Sequence, residues 1–309
     1  MLRLEPSIRR VQEGETIATY DNLLMMNRGN NGPSNMQREE TYHIWAFIPS
    51  RGTSGDVIAW LNPSFETTSR VIAERRLGTL RELVLTLSLT RTFEEFFAST
   101  MSSLGKNPCD LPFVLCYSCK VLDPVQKRPP GLKKPGPHPI EKPEPQSILL
   151  ELQGTLGVPE DHTSAPRDIR LMVDRSPDSS DQGSQSDSVS STGSNVTAKQ
   201  SFHPDETLPW PFLEACSTCK PIFIPDLSAR HTGFEQRGWD EAPRSAVVIP
   251  ITTDGILPQA LLIVGLNPRR PFNETYANWL QLIAKQLGTH IAIVKGYAEE
   301  VAKTQQLAQ

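Results

Sequence analysis

Between Phe272 and Gln309 the chain runs without a proline and carries apolar residues at helical spacing. Two seams repeat every seven residues, one through Leu280, Leu287, Val294 and Val301, the other through Ile283, His290 and Tyr297. A sustained repeat of this length predicts a helix wrapped by a partner helix, because only supercoiling keeps such a seam on one side. For Trp279 to Ile291 the alternative is packing on the domain's own sheet. Residues 302–309 are polar and predict a frayed end. Thr67 to Leu89 reads as a second long helix, with Ala73, Leu80 and Leu87 on one seam and Leu77 and Val84 beside it. The expected dimer-helix positions are therefore Leu77, Leu80, Val84, Leu87, Leu280, Leu287, Val294 and Val301. Thr92 to Leu104 continues helically, with Thr92 and Glu95 spaced as a capping box and Phe93, Phe96 and Phe97 supplying core.

Elsewhere the pattern changes to strands. After a short helix at Pro6 to Glu13 and an extended stretch at Thr16 to Met26 come a polar loop, 27–35, and strands at Thr41 to Ile48 and Val57 to Leu61. So few strands with one helix make a poor independent domain and predict part of something larger. Phe113 to Lys120 is apolar on both faces, as in a sheet covered on both sides. Ile148 to Leu152 is another strand, and Ala246 to Ile251 with Ala260 to Leu266 form a hairpin. Pro209 to Cys219 reads as a short helix and Ile222 to Ile224 as a brief strand. Residues 124–145, rich in Pro and Lys, and 176–201, nearly all Ser, Asp, Gln and Gly, hold too little apolar surface to offset the entropy of ordering, which predicts two disordered insertions. The fold class expected is α+β, an antiparallel sheet flanked by helices.

A net charge of −4 and a pI near 5.9 argue against a nucleic-acid binder, which pairs a basic surplus with phosphates. No apolar run approaches bilayer length and no signal-peptide core opens the chain, so neither membrane nor export is expected and the location expected is cytoplasmic. Five cysteines fit a reducing compartment better than a disulfide framework, and Asn195-Val-Thr197 reads as a chance glycosylation motif.

Chemistry is sparse. Cys116 with Cys119 and Cys216 with Cys219 are two Cys-x-x-Cys pairs, a spacing that suits zinc or redox work. Strand geometry sends Cys116 and Cys119 to opposite faces, however, and the second pair comes late in its helix, where the backbone dipole raises a thiol pKa. Ordinary buried or half-buried thiols are the leading reading. No phosphate loop, nucleophile elbow or metalloprotease helix occurs, and the six histidines are scattered, so neither catalytic residues, metal nor cofactor are assigned. Tyr117, Trp210, Asp226, Trp239 and Arg244 are the candidate lining of a small-molecule cavity beside the sheet, with an Asp226–Arg244 ion pair as the structural alternative.

Three stretches, Glu40-Thr-Tyr-His-Ile-Trp-Ala-Phe-Ile-Pro49, Asn62-Pro-Ser-Phe-Glu-Thr-Thr68 and Ala73-Glu-Arg-Arg-Leu-Gly-Thr-Leu-Arg-Glu-Leu83, resemble the end of a PAS domain and its connector helix in fungal-type hybrid histidine kinases. Asn107-Pro-Cys-Asp-Leu-Pro-Phe113, Ala242-Pro-Arg-Ser-Ala246 and Gly265-Leu-Asn-Pro-Arg-Arg-Pro-Phe272 are similar to the GAF domain that follows in that family. The resemblance implies a partial PAS-like segment at 1–66, a connector helix at 67–91, a GAF-like domain at 92–295 and a signalling-helix end at 296–309. It also implies a sensory module of a phosphorelay, without kinase chemistry in this stretch, because the sequence stops before a phosphoacceptor motif and an ATP-binding domain. The partners implied are a second copy or a histidine-kinase core, with a small-molecule ligand. Two rivals stand beside it: a thiol-dependent sulfoxide reductase of the GAF type, and an interaction scaffold acting through the two insertions.

Overall fold

A computed structural model describes residues 5–28, 37–122, 146–173, 208–227, 233–253 and 255–307. Both expected insertions, 124–145 and 176–201, lie outside the described residues. The chain divides into two units: Met1–Arg81 with Asn267–Asn273, and Glu82–Leu266 with Glu274–Gln309.

In the first unit, helix α1 (Glu5–Gln12) precedes strands β1 (Ile17–Arg28), β2 (Gln37–Arg51), β3 (Val57–Leu61) and β4 (Ser64–Glu66). They form an antiparallel sheet of order β1-β2-β3, with β4 also paired to β2. Its small core joins Val11, Ile17 and Phe47, while Ile58, Trp60, Leu61 and Phe65 remain exposed. The start of helix α2 (Thr68–Leu87) carries Arg75, whose guanidinium meets the fully buried Glu40 carboxylate through two hydrogen bonds of 3.0 and 2.9 Å. Asn267 Nδ2 and the Tyr42 hydroxyl also donate to Glu40, at 2.8 and 3.1 Å, and Glu40 N donates to Arg269 O at 3.1 Å. Four donors on one carboxylate hold the Asn267–Asn273 loop to β2, which is why that loop groups with the first unit although its sequence lies between elements of the second.

The second unit is built on a six-stranded sheet of order β7-β6-β5-β10-β9-β8, antiparallel at every pairing. Its strands are β5 (Val114–Leu122), β6 (Gln146–Leu156), β7 (Asp168–Val173), β8 (Ile222–Ile224), β9 (Ala246–Thr252) and β10 (Pro258–Gly265). Helices α3 (Phe93–Gly105) and α5 (Glu274–Leu307) pack on the sheet, and α4 (Phe212–Thr218) meets β7 and β9. Val114–Tyr117 of β5, Ala260–Val264 of β10 and Ala246–Ile251 of β9 are apolar and buried at every position, because helices and loops cover both faces there. The capping box forms as the spacing predicts: Glu95 N donates to Thr92 Oγ1 and Thr92 N to Glu95 Oε2, each at 3.2 Å. Gly288 lets α5 approach β9, since a Cβ there would stand 2.8 Å from the Thr252 carbonyl oxygen.

The expected dimer-helix positions divide. Leu87, Leu280, Leu287 and Val294 are buried within their own unit, which takes up the packing that the seven-residue repeat assigned to a partner. Of the others, Leu80 is half-buried, and Leu77, Val84 and Val301 are exposed. Beyond Val294 every described residue of α5 is exposed, so the helix continues as a rod with no core of its own.

Candidate functional site

Side-chain alternation along β5 sends Leu115, Tyr117 and Cys119, with Phe113 just before the strand, into one hydrophobic cluster with Trp210 and with Phe212, Ala215 and Cys216 of α4. The rings interlock. Phe113 stacks on Phe234 with centroids 4.4 Å apart and lies 6.0 Å from Trp210, while Tyr117 meets Phe212 edge to face at 5.2 Å. Trp210 Nε1 donates to Ser164 O at 2.7 Å, which fixes the indole. The Tyr117 hydroxyl, by contrast, is buried and has no hydrogen-bond partner among the described residues. Burial raises its pKa above the usual phenol value, so it remains a neutral O–H. A buried hydroxyl left unpaired costs about 1–3 kcal/mol, and an acceptor brought by a small molecule or an ordered water would recover that cost.

Of the five candidate lining residues, Tyr117 and Trp210 share this core. The other three belong to loops. Trp239 is half-buried and donates through Nε1 to Cys109 O at 3.2 Å, pinning its loop to the residues after α3. Arg244 is exposed with Nη2 3.7 Å from Glu241, and its carbonyl accepts from Leu227 N at 2.9 Å, next to the exposed Asp226. Two recesses escaped the sequence reading. One, of about 300 Å³, is lined by Phe93 and Phe97 of α3, by Ser118, Cys119 and Lys120 of β5, and by Gln153 and Gln259. The other, of about 220 Å³, lies between Leu87, Arg91, His290, Ile293 and Tyr297, with the Arg91 guanidinium 4.9 Å from the Tyr297 ring centre. Each is assembled from elements far apart in sequence, so no local motif announces it.

The thiols gather in a way that spacing alone did not show. Cys116 and Cys119 take opposite faces as expected, and burial pushes the Cys116 thiol up to about 12. On the other face Cys119 packs against the hydrophobic cluster that contains Cys216. The Cys119 pKa is raised well above the usual thiol value, first by burial and then by Cys216. Cys219, the residue closing α4, places Sγ 3.7 Å from Cys216 O and 3.6 Å from Ile256 O. Among the described residues, no group of three or more His, Cys, Asp or Glu is arranged to hold a metal ion, and no helix is long and apolar enough to cross a membrane.

Comparison with known proteins places a class on this architecture. Residues 156–292 match the family model described as GAF domain. The antiparallel sheet flanked by helices is a GAF-type α+β fold. Similar solved structures include the GAF domain of a phosphoenolpyruvate-protein phosphotransferase from Coxiella burnetii, 15% identical, covering 74% of this chain and 98% of that one, with a TM-score of 0.39. The GAF domain of the Acinetobacter phosphoenolpyruvate-protein phosphotransferase is 12% identical, with 72% and 95% coverage and a TM-score of 0.38. A phycoerythrobilin-bound GAF domain of a cyanobacterial phytochrome is 13% identical, with 72% and 97% coverage and a TM-score of 0.37. No curated protein matches the chain.

Proposed function

We propose that this chain is a non-catalytic sensory module of a histidine-kinase phosphorelay, in which a GAF-type domain passes the state of a ligand or partner into its terminal helix. The observation that carries this reading is the continuity of α5: Tyr276 to Val294 pack in the domain core, and the same helix runs on, exposed, to Leu307. A change in core packing reaches that rod without crossing a loop. The aromatic cluster around Tyr117 is the proposed ligand seat, because its hydroxyl is buried without a partner among the described residues. A ligand shifts such a switch only by binding one arrangement better than the other, so its seat must touch elements that pack on α5. β9 does so, and β5 reaches it through β10.

The test is to fuse the full chain through α5 to a histidine-kinase core and insert one to seven residues at the junction. Each added residue turns an α-helix by about 100°, so autophosphorylation is expected to oscillate with insertion length and recover near seven. A rate indifferent to insertion length rules out transmission through α5.

The thiol-dependent reductase is the second reading, favoured by the convergence of Cys119, Cys216 and Cys219. Against it stands the raised pKa of Cys119, which disfavours a nucleophilic thiolate. Turnover of free methionine sulfoxide with dithiothreitol, abolished by Cys216→Ser, would establish the enzyme in place of the sensor.

A further inference from the structure

Residues of β5 and α4 share one hydrophobic cluster on a single face of the sheet. From Tyr117 to Cys119 the strand gains two residues, about 6.7 Å, and from Phe212 to Cys216 the helix gains four, about 6 Å. The Tyr117 and Phe212 rings are in contact, and Cys216 is the neighbouring group that, after burial, raises the Cys119 thiol pKa. Both belong to the same hydrophobic cluster. A further sign is that Cys219 ends α4 in the left-handed region at φ 52°, a position that favours glycine. A cysteine there keeps a third sulfur at the rim of the pair, half-buried.

We propose that Cys119 and Cys216 form a dithiol that a peroxide converts to a disulfide, stapling β5 to α4. Cys119 is half-buried and Cys216 buried, so peroxide meets Cys119 first. Its sulfur attacks one peroxide oxygen and supplies the electron pair; the O–O bond breaks, water leaves and a sulfenic acid remains. Cys216 then gives up its proton and attacks the Cys119 sulfur, the S–O bond breaks, and the hydroxyl leaves as a second water. Two thiols and one hydrogen peroxide thus become one disulfide and two waters. The high Cys119 pKa makes the first step slow at neutrality and about tenfold faster per pH unit while the pH stays below it. This chemistry does not depend on the signalling role.

The experiment treats the reduced full chain with hydrogen peroxide at about pH 8.5, chosen to raise the thiolate fraction. Thiols are then counted in denaturant and the disulfide is mapped by peptide mass spectrometry. The count is expected to fall from five to three, with Cys119 joined to Cys216, and dithiothreitol should restore all five. Cys219→Ser should still lose two thiols, whereas Cys119→Ser should lose none. An unchanged count, a Cys216–Cys219 disulfide in the native chain, or irreversible oxidation of Cys119 would each overturn the pairing; because mapping uses the unmutated protein, misfolding of a variant leaves the result intact.

Discussion

Two buried polar groups behave oppositely at the scale of single residues. Glu40 receives Arg75, Asn267 and Tyr42, so Glu40→Ala leaves a guanidinium and an amide without their acceptor. We expect a loss of about 3 kcal/mol in chemical denaturation of the unit holding it; a loss under about 1 kcal/mol would show the network to be dispensable. Tyr117 has the reverse balance. Removing an unpaired hydroxyl is favourable, so Tyr117→Phe should raise the melting temperature of the ligand-free protein by a few degrees. If the melting temperature falls instead, the hydroxyl is already satisfied in solution and the proposed ligand seat loses its polar handle. Gly288→Ala sets helix propensity, which favours alanine by about 1 kcal/mol, against the close approach to Thr252. Overpacking costs about 1–3 kcal/mol, so net destabilisation is expected on thermal melting, and a neutral result would mean that β9 yields. Tyr117 was legible in the sequence as candidate lining, although not its unpaired hydroxyl, whereas the other two were not, because Glu40 and Asn267 or Gly288 and Thr252 meet only through the fold.

Local pattern served the elements better. The hairpin of β9 and β10, the capping box of α3 and the run of α2 follow from alternation, spacing and composition, which act over a few residues. β7 was missed and β4 was reached only through the resemblance at 62–68: β4 has three residues, and β7 mixes Asp168 and Arg170 with Ile169, Leu171 and Val173 at the end of the sheet, giving a weak apolar signal. The seven-residue repeat in α5 is real as a sequence pattern, yet the sheet and α3 take up Leu280, Leu287 and Val294. A period near 3.5 marks an apolar stripe without saying what covers it. What α5 still offers a partner is its outer row, Leu282, Ile293, Tyr297 and Val301, each at least 39% exposed. That row, rather than the buried seam, is where charge substitution should act on self-association.

For the molecule as a whole, the α+β class was readable because many weak local signals agree on one antiparallel sheet with flanking helices, while the GAF reading came from resemblance and is matched by the family model over residues 156–292. The candidate site was only half readable. Tyr117 and Trp210 enter the core, whereas the meeting of Cys119 with Cys216 depends on how β5 and α4 pack across a long stretch of intervening chain. The central claim is that α5 carries the domain's state outward, and we propose that its exposed part does so by pairing with a second copy. Light scattering on the full chain at tens of micromolar, beside Tyr297→Arg/Val301→Arg, tests it most directly. A dimer that the double substitution converts to a folded monomer is the expected result; a native chain that stays monomeric across that range contradicts the account.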